Sequence, residues 1–144
     1  MDTIALRFAD NFAPVPGTIA LHEEMINRLG YVWYGKLGAP ISPKNIKLVM
    51  EETNRRILLI HSGKTDRYWA YINQVQCETP PQDEIPEYYR RNASQFRTWF
   101  KVTKIEKAER NVLKKCRVKS SGATLSEASS KSMSPFFIIQ FEEN

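Results

Sequence analysis

The stretch Arg56-Ile-Leu-Leu-Ile-His-Ser-Gly-Lys-Thr-Asp-Arg-Tyr-Trp-Ala-Tyr-Ile-Asn-Gln-Val-Gln76 decides the fold. The apolar run Arg56–His61 predicts a strand, residues 62–67 predict a turn and residues 68–76 predict a second strand, which together indicate a β-hairpin. Large side chains point to both faces of the second strand, with Trp69, Tyr71 and Val75 on one face and Tyr68, Ala70 and Ile72 on the other. We therefore expect a sheet that is covered on both sides or closed into a barrel.

The remaining chain predicts four more strands and two or three short helices. The strands are expected over residues 3–8, 97–106, 112–119 and 136–141, where apolar residues run together or alternate with polar ones. A helix is expected over Thr18–Leu29, with Thr18 as its N-cap and Gly30 just past its end, and another begins at Ser42-Pro43. This order predicts an α+β fold, a small twisted β-barrel of about six strands with the helices packed against it.

The length of 144 residues suits one domain, which we expect to span residues 1–144. Residues 120–134 contain seven serines and one glycine, which favours a flexible connector over an ordered lid, although Thr124 and Glu127 have the spacing of a small capping box. The chain has no apolar run near the ~18 residues of a membrane span and no apolar signal region at its start. We expect a cytoplasmic protein that does not contact a membrane.

Catalytic and metal-binding motifs are scarce. Cys77 and Cys116 are far apart and only His22 and His61 accompany them, so we expect no zinc site, no disulfide and no cofactor. The run Ser62-Gly-Lys-Thr65 resembles the end of a phosphate-binding P-loop, but no helix follows it and a hairpin turn is favoured. We expect a protein that is not an enzyme, and a nucleotide-processing enzyme is the weakest of the alternatives.

Aromatic residues beside loops are the features that indicate binding. Trp33 and Tyr34 lie in the stretch Tyr31-Val-Trp-Tyr-Gly-Lys-Leu-Gly-Ala-Pro-Ile41, between the expected end of the first helix and a loop with two glycines. They form either a ledge for a planar ligand or part of the core. A base that stacks on such a ring gains roughly 1–3 kcal/mol. The net charge of +5 favours a polyanionic partner.

The order of segments resembles the YTH and EVE domains of the PUA-like superfamily, which includes DNA-reading N-terminal domains of modification-dependent restriction systems. The resemblance rests on residues 4–8 followed by Asp10-Asn11, on Val32-Trp33 after a helix, on Ile60-His-Ser62 followed by Tyr71-Ile-Asn-Gln-Val75, and on Trp99-Phe-Lys-Val102. It implies a PUA-like barrel, an aromatic cage that accepts a flipped base, and a fused or partner nuclease or motor. Trp33 is followed by Tyr34, where YTH domains usually have a small hydroxyl residue.

We therefore expect a non-catalytic domain that recognises a modified, methylated base in nucleic acid, with DNA favoured over RNA, in a restriction or defence protein. The candidate base-binding residues are Asp10, Asn11, Trp33, Tyr34, Ser62, Trp69, Tyr88, Tyr89 and Trp99. The candidate phosphate-binding residues are Lys36, Lys64, Arg90, Arg91, Lys101, Lys119 and Lys131. The alternative is a protein-interaction module or phage-type inhibitor that uses the same aromatic residues, because tryptophan, tyrosine and arginine also dominate protein interfaces.

Overall fold

The structure is a computed structural model that describes residues 1–11 and 13–142. Over these residues the strands are β1 (Asp2–Phe8), β2 (Val32–Leu37), β3 (Arg56–His61), β4 (Arg67–Gln76), β5 (Phe96–Lys107), β6 (Cys116–Val118) and β7 (Phe136–Phe141). The helices are α1 (Thr18–Leu29), α2 (Pro43–Met50), α3 (Val112–Lys115) and α4 (Leu125–Lys131). Two 3₁₀ segments, Gln82–Glu84 and Glu87–Gln95, connect β4 to β5.

All seven strands belong to one sheet in the order β2-β5-β4-β3-β1-β7-β6. β1 and β3 run parallel, and the other neighbouring pairs are antiparallel. The predicted hairpin of β3 and β4 is present, with Leu58 paired with Trp69, and the structure places it at the centre of the sheet. This arrangement, with helices packed on the sheet, confirms the predicted α+β class.

The sheet curls so that one of its faces encloses a core. Alternate residues of five strands meet in a single buried cluster, with Ile4, Tyr34, Ile57, Ala70 and Phe100 as representatives of β1 to β5. The edge strand β2 also approaches β7, the strand next to the opposite edge, because the Lys36 ammonium lies 5.2 Å from the ring centre of Phe136. Curling brings the end of β1 opposite β2, although three strands separate them in the sheet order.

The outer side of the sheet is covered in two places. One cluster joins Leu58 and Trp69 to Val112 of α3 and Leu125 of α4. Another joins Trp33 of β2 and Trp99 of β5 to Ile85 and Tyr89 of the 3₁₀ region. The sheet is therefore apolar on both faces, which explains why neither face of β4 is plainly polar in sequence.

Three predicted elements need correction. Residues 31–41 do not present Trp33 and Tyr34 on a ledge beside a loop, because residues 32–37 form the edge strand β2, which pairs antiparallel with β5. Residues 112–119 are not one strand, since α3 occupies their first half and only Cys116–Val118 pairs in the sheet. Thr18 is not the N-cap of α1, because that position belongs to Gly17 and the Asp10 side chain accepts a hydrogen bond from the Thr18 amide instead.

The serine-rich segment 120–134 contains α4. Thr124 caps this helix, with its hydroxyl oxygen accepting from the Glu127 amide at 3.2 Å, as the spacing of the two residues predicts. Leu125 is fully buried against the outer cluster. The flexibility expected of the segment stays a prediction, and the backbone has a defined helical conformation over 125–131.

Candidate functional site

A cavity lined by aromatic side chains lies where the C-terminal end of β1 faces β2. Its volume is about 280 Å³, and its wall comes from residues 6–9 and 11, the first residue of α1, residues 34–37, Tyr88, Tyr89, Phe96 and Pro135. We call it the β1–β2 pocket. This volume is just below the range of about 300–1,000 Å³ for small-ligand sites, which suits a single nucleobase better than a large cofactor.

Asp10 is not part of the pocket lining, but it lies between two lining residues, Ala9 and Asn11, and joins three elements. Its Oδ1 accepts a hydrogen bond from the Thr18 amide at 2.9 Å, which ties the loop after β1 to the start of α1. Its Oδ2 lies 2.9 Å from His61 Nε2, and the His61 ring stacks on Phe8 at a centroid distance of 4.6 Å. Burial raises the pKa of Asp10, but the hydrogen bonds from Thr18 and the charge of His61 together lower it by more than burial raises it. The net shift of the pKa is therefore downward. Both oxygens already have protein partners, and Asp10 shapes the mouth.

A chain of buried hydrogen bonds supports the pocket from behind. His22 Nδ1 lies 2.7 Å from the Thr18 carbonyl oxygen, which can only accept, so Nδ1 carries the proton. Tyr89 then donates its hydroxyl to His22 Nε2 at 3.2 Å and accepts from the Gly35 amide at 3.1 Å. Burial lowers the pKa of His22 to about 4, so the ring is neutral at pH 7. This chain fixes α1, β2 and the 3₁₀ segment relative to one another.

Three tyrosines give the pocket its aromatic character. Tyr88 is half-buried and stacks on Tyr89 with ring centres 4.5 Å apart. Tyr34 is 5% exposed, and its ring lies 5.3 Å from that of His22. Burial raises the pKa of Tyr88 to about 12 and raises the pKa of Tyr34 as well. Burial raises the pKa of Tyr89 too, so all three hydroxyls are protonated at neutral pH. Tyr88 is the least buried of the three residues.

Lys36 is a buried cation in the pocket wall. The residue is 8% exposed, and its ammonium donates to the backbone oxygens of Leu37 at 3.2 Å and Ala39 at 3.0 Å. Burial lowers its pKa. No carboxylate in the described part of the chain forms an ion pair with it. The pocket thus combines aromatic rings with one positive charge.

The structure brings five of the sequence-predicted residues to the pocket wall: Asn11, Tyr34, Lys36, Tyr88 and Tyr89. Asn11 is exposed at the mouth. Ser62 lies next to the pocket, because its amide donates to the Phe8 carbonyl oxygen at 2.7 Å.

The three tryptophans lie outside the pocket lining. Trp33 is 4% exposed and donates its indole N–H to Glu84 at 3.1 Å, on the other face of β2. Trp99 is fully buried against Tyr89 and Phe96. Trp69 packs on the outer side of the sheet, with the Arg56 guanidinium 4.2 Å from its ring centre. Each of them is used in packing.

The predicted cations occupy different parts of the surface. Lys64 is exposed in the β3–β4 turn, Arg90 and Arg91 are exposed just after the two pocket tyrosines, and exposed Lys131 pairs with Glu127 at 2.9 Å at the end of α4. Lys119 pairs with Asp2 at 2.6 Å. Asp2 is the first residue of β1, whereas the pocket lies at the last residues of this strand, roughly 20 Å away along it. Lys101 lies over the Tyr31 ring at 4.4 Å on the outer side of β2.

Several pocket residues escape prediction from the sequence. Phe8, Thr18, Phe96 and Pro135 line the pocket, and so does Arg7, whose guanidinium binds backbone oxygens beyond α4. The alternation of Ile4, Leu6 and Phe8 is a signal that could have placed Phe8 beside the polar end of β1. Phe96 and Pro135 are distant in sequence and carry no such signal.

Two further properties concern residues 1–11 and 13–142 alone. Within them no three His, Cys, Asp or Glu side chains are grouped so as to hold a metal ion. Their helices are also all too short or too polar to cross a bilayer.

Comparisons with known proteins gave a match to one family model. A family model described as Pua-like matches residues 4–135. A search of curated proteins found no match, and a search of solved structures found none either. The matched range includes every element that lines the β1–β2 pocket.

Proposed function

The chain belongs to the Pua-like family, and from that premise we propose that it is a non-catalytic domain that binds nucleic acid and accepts a modified base in the β1–β2 pocket. The proposal includes a relationship to EVE and YTH domains and a role as the recognition module of a restriction or defence protein, with DNA as the favoured nucleic acid. A nuclease or motor, fused or separate, would act on what this domain selects.

The observation that carries the proposal is the composition of the pocket. Aromatic residues from three separate parts of the chain, Phe8, Tyr34 and Tyr88, line one cavity of about 280 Å³. A base extruded from a duplex loses a few kcal/mol of stacking and pairing. Stacking on an aromatic ring restores roughly 1–3 kcal/mol, and contacts with the edge of the base supply the remainder. A pocket with rings and a few polar groups meets both requirements.

Each pocket residue has a distinct role in this proposal. Tyr88 presents the ring on which the base stacks, because it is less buried than Tyr34 or Tyr89 and is backed by Tyr89 at 4.5 Å. Asn11 offers an amide donor and an acceptor at the mouth, where the edge of a base would pass. Exposed Lys64, Arg90, Arg91 and Lys131 lie in segments that adjoin pocket residues along the chain or contact them, and they would bind phosphates.

The test measures the preference for a modified base. Asn11→Ala and Tyr88→Leu should each reduce the affinity ratio between a methylated oligonucleotide and its unmodified twin by about tenfold, the effect of losing one hydrogen bond or one stacking contact. Asn111→Ala is the matched control, because Asn111 is exposed next to α3 and makes no side-chain cap contact there. Equal affinity of the unaltered protein for all modified and unmodified oligonucleotides would contradict the proposal.

A further inference from the structure

Lys36 has an unusual position for a lysine, since its side chain lies in the wall of the β1–β2 pocket instead of in solvent. The strand alternation of β2 puts Lys36 on the same face as Tyr34, which belongs to the interior cluster. The ammonium also lies 5.2 Å from the ring centre of Phe136, which covers it on the side of β7. A residue that is only 8% exposed and lines a cavity meets a ligand through that cavity.

The hydrogen bonds of Lys36 leave one donor unused. An ammonium group has three N–H donors and no acceptor. Two of them go to the backbone oxygens of Leu37 and Ala39, and no third bond forms with the described residues. Those two carbonyl groups fix the position of the nitrogen, so the third donor is available for a ligand acceptor inside the pocket.

On the basis of the proposed function, we infer that Lys36 is a specificity-determining residue that makes the pocket select a base with a carbonyl oxygen. Such bases are modified cytosine, uracil, thymine or guanine, whose exocyclic oxygens accept from lysine. Adenine and N6-methyladenine carry no carbonyl oxygen and offer only ring nitrogens as acceptors. The cation therefore favours an oxygen-bearing base over N6-methyladenine.

Burial of the cation strengthens this discrimination. Screening by water is weak at a buried site, so a charged donor distinguishes a strong acceptor from a weak one better there than at the surface. Burial lowers the pKa of Lys36, because its charge is poorly solvated in the apolar surroundings, and a new acceptor would stabilise that charge. The pocket tyrosines are neutral and bring no competing negative charge.

The experiment compares affinities for single-stranded DNA oligonucleotides of one sequence. Their central base is 5-methylcytosine, 5-hydroxymethylcytosine, 5-hydroxymethyluracil, 8-oxoguanine or N6-methyladenine, each beside its unmodified parent. We expect the preferred member to carry a carbonyl oxygen. Lys36→Met keeps the length of the side chain and removes its charge. It should weaken the affinity for the preferred oligonucleotide by about ten- to a hundredfold, the range for a hydrogen bond to a charged group. It should change the affinity for the N6-methyladenine oligonucleotide by less than about threefold.

Lys64→Met and Lys36→Arg serve as controls. Lys64 is exposed, so its loss should weaken all oligonucleotides alike, as expected of a phosphate contact. Lys36→Arg keeps the charge and should retain part of the preference. If N6-methyladenine is the preferred member, or if Lys36→Met weakens every oligonucleotide equally and reduces the salt dependence, the inference about Lys36 is wrong while base recognition stands. If no modified base is preferred over its parent, the proposed function itself fails.

Discussion

The absence of a side chain at Gly35 allows β2, which forms part of the pocket wall, to pack closely against β5. A Cβ at this position would lie 2.8 Å from the Trp99 ring and 3.0 Å from Phe96 Cβ. Because Trp99 is fully buried and cannot move aside, any side chain at residue 35 would push β2 away from β5. The close approach also lets the Gly35 amide reach the Tyr89 hydroxyl.

We therefore expect Gly35→Ala to lower the free energy of unfolding by about 1–3 kcal/mol, the usual penalty of overpacking. Urea denaturation measures it. In a Trp99→Phe background the ring is smaller, so the additional penalty of Gly35→Ala should fall below about 1 kcal/mol. An equal penalty in both backgrounds would show that the strain does not come from Trp99.

His22 makes stability depend on pH. The ordinary pKa of histidine is 6.5, and burial lowers that of His22 to about 4 in the folded state. Between these values the unfolded state binds a proton that the folded state does not, so the free energy of unfolding falls as pH decreases from 6.5 to 4. A shift of this size corresponds to about 3 kcal/mol.

The expected result is a loss of that order between pH 7 and pH 4, measured by urea denaturation at each pH. His22→Gln retains a donor and an acceptor but does not titrate, so its stability should vary much less over the same window. Asp10 and other carboxylates with lowered pKa values lose their contributions at more acidic pH. Parallel profiles for the two proteins would rule out His22 as the cause.

At the scale of elements, Arg7 links β1 to the end of α4. Its guanidinium donates to the backbone oxygens of Ser129 at 2.5 Å, Ser132 at 2.6 Å and Ser134 at 3.0 Å. Carbonyl groups at the end of a helix lack partners within the helix, and a cation there also interacts favourably with the helix dipole. One side chain thus holds a serine-rich segment next to the pocket.

Arg7→Met should release this segment without unfolding the sheet. We expect amide hydrogen exchange over residues 125–134 to accelerate about tenfold or more, since a charge-assisted hydrogen bond contributes about 1.5–3 kcal/mol. Exchange in β3 and β4 should change little. Lys131→Met is the control, because its exposed pair with Glu127 stabilises the helix weakly. Unchanged exchange in Arg7→Met would mean that Leu125 and the Thr124 cap alone hold α4.

At the scale of the whole molecule, the candidate phosphate-binding cations differ in how close their segments lie to the pocket. Four exposed cations, Lys64, Arg90, Arg91 and Lys131, lie on elements next to the pocket or its mouth. Lys119 is held at the opposite end of β1 by Asp2. The affinity for nucleic acid should therefore fall steeply with salt concentration. Replacement of a lysine far from the pocket, such as Lys119, should not change this dependence.

For a single strand, four phosphate contacts predict that the logarithm of the affinity falls with the logarithm of salt concentration with a slope of about −3. Replacing Arg90 with Met should make this slope shallower by about 0.7. Lys119→Met should leave it unchanged. Fluorescence titrations between low and physiological salt measure these slopes. A slope near zero would favour the alternative of a protein-interaction module.

The sequence by itself determines the α+β class, the hairpin of β3 and β4, helix α1, the Ser42 and Thr124 caps and the polar residues Asp10 and Asn11 after β1. These features are local, because periodicity, turn residues and caps act within a few positions of the chain. The same local signals place Tyr34, Tyr88 and Tyr89 among the candidate ring residues.

Only the tertiary structure decided which of the candidate rings line the pocket. Alternation tells which residues of a strand share a face, but not which face is covered by which element. The 3₁₀ region covers the face of β2 that carries Trp33, and helices α3 and α4 cover Trp69, so both rings are buried by packing. Tyr34 and Lys36 lie on the other face of β2, where they line the pocket. Contacts between β1, β2 and residue 135 join positions far apart in sequence, and they exist because the whole sheet curls.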